Sequence, residues 1–164
     1  MTKNVMLLIA VLSFFVAGWL SNDAFGVISL STGKQMPLGS DTAVSGPSDH
    51  ISEEQIHVYD NKIMLDISGA SWASFTDTHS MDPVLNKDSN SIEIKPKSET
   101  DIKVGDIISY KSDYVDGLII HRVLQTGEDS NGWYAVVKGD NNPAKDPGKI
   151  RFNQINGVVV AVVY

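Results

Sequence analysis

At 164 residues the chain suits one domain of ordinary size with an appendage. Its net charge of −7 and pI near 4.9, with no lysine or arginine run, argue against nucleic acid as a partner, because phosphate binding needs a basic face. The absence of cysteine excludes thiol catalysis, thiolate zinc sites and disulfides together, and 42% hydrophobic residues point to a mostly globular chain.

Residues 1–4 form a short tail carrying Lys3. No charge interrupts Val5 to Leu20. As a helix this run spans about 24 Å, a little short of the ~30 Å hydrocarbon core. It has no polar face, which argues against a buried core helix. Trp19, Leu20, Asn22 and Asp23 crowd the place where small residues would mark a cleaved signal peptide. The reading is a membrane anchor over 5–20, with Lys3 on the cytoplasmic side and the main body outside the cytoplasm. Residues 21–50 are rich in Gly, Ser, Thr and Pro and read as a flexible tether, punctuated by Gly33, Pro37, Gly39, Gly46 and Pro47.

From residue 51 to 164 the pattern is that of strands, after one short helical turn at Ser52-Glu53-Glu54. Ile56 to Tyr59 and Lys62 to Ile67 flank Asp60-Asn61 as a tight hairpin. Ala70 to Thr76 is small, β-branched and aromatic. Ser91 to Lys95 alternates apolar with polar. Val104 to Tyr110 follows, then Leu118 to Leu124 and Trp133 to Lys138, joined by a polar loop over Gly127 to Gly132. Asn156 to Tyr164 closes the chain as an apolar strand. Helical periodicity is missing after residue 55, so the expected fold class is mainly β, a folded antiparallel or barrel-like sheet.

Chemistry is concentrated around Thr78-His79-Ser80-Met81-Asp82-Pro83. Pro83 stops regular pairing, so Ser80 stands where a strand ends and a hydroxyl can be presented, with Met81 packed beneath it. Such serines also serve as turn residues, so the reading depends on a base and an acid elsewhere. His79 adjoins Ser80, but neighbouring side chains of extended chain point to opposite faces, which aims it badly. His50 falls in the tether and His57 in the first hairpin. His121 interrupts an apolar strand, where an imidazole needs a hydrogen-bond partner and suits a general base. A base acting on serine is usually oriented by a carboxylate, and the loop Gly139 to Gly148 offers Asp140 and Asp146. Residue spacing alone does not choose between them. That loop lacks the pattern of a calcium loop, and the histidines lack zinc-ligand spacing, so no metal is expected.

Four stretches in order, Ser80-Met81-Asp82-Pro83, Val104-Gly105-Asp106-Ile107-Ile108-Ser109-Tyr110, Ile120-His121-Arg122-Val123 and Lys138-Gly139-Asp140-Asn141-Asn142 with Asp146 beyond, resemble the signal peptidase I family in its archaeal and endoplasmic-reticulum branch. The resemblance covers roughly Ile67 to the end. It implies a mostly β serine endopeptidase, without cofactor, on the extracytoplasmic side of the membrane. Its partners would be signal-peptide-bearing precursors, cut after small residues, and the bilayer reached through residues 5–20. It implies Ser80 as nucleophile, His121 as base, Asp146 as the acid that orients it, and Asp140 as a loop-shaping or assisting residue. Thr78, two residues before Ser80, takes the place of a serine that helps hold the oxyanion, together with the Ser80 amide. Ala70, Ser71, Ala73, Ser74 and Met81 would line the substrate approach. His79 departs from the small residue usual there. Two other readings compete with this one, a non-catalytic β domain of the same ancestry that binds exported chains, and a self-cleaving serine protease.

Overall fold

The structure, a computed structural model, describes residues 45–164. The anchor read over 5–20 and the tether up to residue 44 lie outside the described residues. Among the described residues no helix is long and apolar enough to cross a membrane.

Strands β1 (Ile56–Tyr59) and β2 (Lys62–Leu65) form the hairpin read from Asp60-Asn61. Pairing of Ile56 with Leu65 and Val58 with Ile63 gathers four apolar side chains on one face. Val58 and Ile63 are 75% and 70% exposed, so that face is largely uncovered. A single 3₁₀ turn, Glu53–Gln55, clamps the hairpin's base. Gln55 Nε2 donates to the Asp66 carbonyl, and the Asp66 amide donates to the Gln55 carbonyl, each at 2.8 Å.

The remaining strands make one antiparallel sheet in the order β3-β4-β8-β5-β6-β7. They are β3 (Ala70–Ser74), β4 (Asn90–Ile94), β5 (Ile107–Lys111), β6 (Leu118–Asp129), β7 (Gly132–Lys138) and β8 (Ile155–Val163). Edge positions fall to β3 and β7. The domain is therefore mainly β and antiparallel, as its residue pattern predicts. Several boundaries fall one or two residues from that pattern, and two fall further for local reasons. β5 begins at Ile107 rather than Val104, because Gly105 at φ +103 and the Asp106-to-Lys103 backbone bond turn the chain first. β6 and β7 run on through Gly127 to Asp129, leaving Ser130-Asn131 as the turn, because backbone pairing overrides the polar composition that suggested a loop.

Side chains alternate across the sheet and divide the core in two. Ile108, Tyr110, Val123, Val137, Ile155 and Val158 pack in one cluster, while Ile107 and Val159 pack with Met81 and Leu85 in another. Because Ile107 and Ile108 are successive residues of β5, the clusters lie on opposite faces. The chain just before residue 51 is packed as well, which corrects the tether boundary at 50. Ser48 donates to Asp106 Oδ1 through both its amide and its hydroxyl at 2.7 Å, and His50 Nε2 lies 3.1 Å from Asp106 Oδ2. Asp106 is fully buried at the head of β5, so Ser48 and His50 belong to the domain they approach.

Candidate active site

Ser80 lies in the turn after β3, partly buried, above Met81. Met81 is 2% exposed and packs with Leu85, Ile107 and Val159, and its Sδ accepts the Asp140 amide at 3.4 Å. Met81 also lines a small pocket with Thr78, His79 and Ser80. A thioether buried this deeply holds the Ser80 turn from below. Of the other lining candidates, Ala70, Ser71 and Ala73 are on edge strand β3, and Ser74 reaches the cleft beside Ser80. That cleft has a volume of about 440 Å³, and Thr78, Ser80, Ile120 and His121 are among its walls. The Thr78 and Ser80 hydroxyls are 3.2 Å apart.

His121 comes from the first part of β6, paired with Ile108 of β5. It is buried, and its Nδ1 lies 2.5 Å from Asp146 Oδ2. Opposite an ionised carboxylate, which can only accept, a neutral imidazole carries its proton on Nδ1 and keeps the lone pair on Nε2. Nε2 is turned toward Gly139. A methyl group built on Gly139 would sit 2.5 Å from the Ser80 carbonyl oxygen, 2.7 Å from Asn142 Nδ2 and 2.8 Å from His121 Nε2. Gly139 is thus the gap through which the His121 ring and the Ser80 turn approach one another, a requirement of space. Gly139→Ala is expected to lose about 1–3 kcal/mol of stability through overpacking. A lowered denaturant midpoint, with a displaced His121 ring resonance in NMR spectra, would register it.

The two candidate carboxylates have separate tasks. Asp140 holds Arg122 in a fork, Nε to Oδ1 at 2.8 Å and Nη2 to Oδ2 at 2.6 Å, while Arg122 Nη1 donates to the Gly105 carbonyl. Asp140 therefore shapes the loop, and Asp146 meets the imidazole. The next residue, Asn141, seats the Ser80 turn, its amide donating to the Ser80 carbonyl at 2.9 Å and its Nδ2 to the His79 carbonyl at 3.0 Å. Asp146 is fixed to the sheet edge by its amide, which donates to the Val137 carbonyl at 2.9 Å. The Tyr110 hydroxyl donates to Asp146 Oδ2, the same oxygen that meets His121.

His79 is exposed and occupies the left-handed region at φ +58, which favours glycine. Its Nδ1 is 2.9 Å from Asp82 Oδ2 and its Nε2 3.4 Å from Asp77 Oδ1. The hydrogen bond to Asp82, then the charge of Asp77, holds its pKa above the ordinary imidazole value. Both ring nitrogens face these carboxylates.

The sequence reading gave no role to Tyr110, Gly139, Asn141 or Arg122, and did not pair Arg122 with Asp140. Arg122 carried a usable signal, since a guanidinium inside an apolar strand requires a carboxylate or carbonyl partner. Gly139 and Asn141 carried none, because their roles depend on the Ser80 turn arriving from a distant part of the chain.

Comparison with known protein families finds no match, and comparison with solved structures finds none either. A stretch of 44 residues is 46% identical to an uncharacterized protein of Methanocaldococcus jannaschii, covering 27% of this chain and 22% of the length of that relative.

Proposed function

We propose that the chain is a serine endopeptidase of the signal peptidase I kind, anchored in a membrane through residues 5–20 and removing signal segments from exported precursors after small side chains. One observation carries this reading. His121 gives one nitrogen to Asp146 and turns the other toward Gly139 and the Ser80 turn, within the cleft that Ser80 also lines. A serine nucleophile needs that division of labour.

In the proposed reaction His121 Nε2 takes the proton of the Ser80 hydroxyl as Oγ attacks the scissile carbonyl. Asp146 stabilises the imidazolium that forms. The Ser80 amide and the Thr78 hydroxyl stand beside the developing oxyanion, where such donors are worth several kcal/mol. The imidazolium then protonates the leaving amine, and water releases the acyl-enzyme with His121 again as base. The edge position of β3 supports a substrate that lies extended and pairs as an added strand, with Ser74 beside the reacting bond. On this reading the β domain works on the extracytoplasmic side. Holding enzyme and precursor in one bilayer raises their effective concentration.

The test is reconstitution of the full chain in liposomes with a labelled precursor bearing a signal segment. Ser80→Ala is expected to abolish cleavage, a loss on the order of 10⁶-fold by analogy with other serine peptidases, while the unfolding midpoint holds. Processing at the wild-type rate by Ser80→Ala would sink the proposal.

A further inference from the structure

Tyr110 is the largest fully buried side chain of the described residues, and the steps above leave it unused. It lies near the end of β5, where Ile108 pairs with His121 and Tyr110 with Ile119. Directly paired residues share a face and so do alternate ones, which puts Tyr110 diagonally beside His121 on one face. Its ring fills the core with Ile102, Val123, Val137 and Ile150, while its hydroxyl donates to Asp146 Oδ2. The carboxylate oxygen that orients His121 thus accepts from two directions, from Nδ1 of the imidazole and from the phenol.

We propose that Tyr110 is a positioning residue that holds Asp146 in the orientation His121 requires and tempers the strength of the His121–Asp146 hydrogen bond. Packing alone does not ask for a hydroxyl here, because phenylalanine would fill the same volume among the same aliphatic neighbours. A phenol reaching a carboxylate inside an apolar cluster makes a charge-assisted bond, stronger than a neutral one. Burial, then the hydrogen bond to Asp146 and its charge, pushes the phenol's pKa far above its ordinary value, so Tyr110 remains a donor at every working pH. Apart from its contacts with His121 and Tyr110, Asp146 is tied among the described residues only through its own amide to Val137, a bond that does not fix the side-chain torsions of the carboxylate. The phenol removes that freedom. It also draws charge from Oδ2 and so competes with Nδ1 for the same lone pairs.

The catalytic part of this inference rests on the peptidase reading, whereas the hydrogen-bond part does not, and two measurements separate them. The first is the deshielded Nδ1 proton of His121, observed by NMR in the full chain in detergent micelles, where no substrate is needed. Tyr110→Phe removes the competing donor, strengthens the His121–Asp146 bond and moves this resonance downfield. Replacing tyrosine by 3-fluorotyrosine throughout the chain strengthens the phenol as a donor, preserves the fold and moves the resonance the opposite way. A resonance that stays in place in both proteins overturns the proposal. So does movement in the same direction in both, which would reflect general repacking. The second measurement is cleavage of the labelled precursor, for which Tyr110→Phe is expected to lower kcat about tenfold with KM unchanged. Unchanged kcat overturns the catalytic part. If the wild-type chain cleaves no precursor while the resonance shifts in the two opposite directions, the peptidase reading fails and the positioning role stands.

Discussion

Asp146→Asn is expected to lower precursor cleavage by about 10⁴-fold, the size of the effect when the orienting carboxylate of a serine peptidase becomes an amide. The amide keeps the volume and part of the hydrogen bonding. It cannot stabilise an imidazolium, however, and it can turn its NH₂ toward Nδ1 and favour the wrong tautomer. The loss should fall on kcat, because the proposed substrate approach along β3 and the cleft is untouched. Stability should drop by only about 1–3 kcal/mol, the usual worth of a hydrogen bond to a charged group. Single-turnover cleavage in liposomes and denaturant unfolding of the same preparations measure both quantities. A variant that retains cleavage within tenfold of wild type would remove Asp146 from the mechanism and with it the reading of His121 as a base.

Asp140→Ala is expected to do the reverse. Arg122 has a side chain only 7% exposed, and its Nε and Nη2 are both committed to Asp140. Removing the carboxylate leaves a buried guanidinium without its counter-charge, which costs about 3–5 kcal/mol. The chemistry should suffer second-hand, through the loop that carries Asn141 and the Ser80 carbonyl contact, and by less than the loss in Asp146→Asn. A further variant separates the cost of breaking the pair from the value of having it. Asp140→Leu combined with Arg122→Met replaces the ions by apolar groups and should recover most of the lost stability. Chemical denaturation of the three variants is the measurement. A stable Asp140→Ala protein with severely reduced cleavage would move Asp140 into the catalytic machinery.

The contrast between the two aspartates also shows how far the residues could be read without the fold. The hairpin at Asp60-Asn61, the strand before Ser80 and the apolar strand at the carboxyl end follow from local composition and alternation, and the structure contains all of them. Loop limits were less legible. Glu128 and Asp129 look like turn residues but pair with Trp133 and Gly132, because a strand already in register extends at little cost. Met81 is legible as an apolar residue beneath Ser80, but its depth is not, since that depends on the β5 and β8 residues that cover it.

Residue types and order alone determined the class of fold and a shortlist: a serine where a strand ends, a histidine inside an apolar strand, and two aspartates in the loop after the next strand. They could not choose between the aspartates, because six residues of separation in a polar loop permit either one to reach a histidine far away in the chain. The tertiary structure decided that point by parity. His121 and Arg122 are neighbours on β6, so their side chains leave opposite faces, and the loop beyond β7 serves each with a different aspartate. Pairing of Ile108 with His121 across β5 and β6 then brought in the Tyr110 hydroxyl, a partner that no local pattern announces. Alternation can be read from a sequence. Which faces meet is set by register between strands distant along the chain.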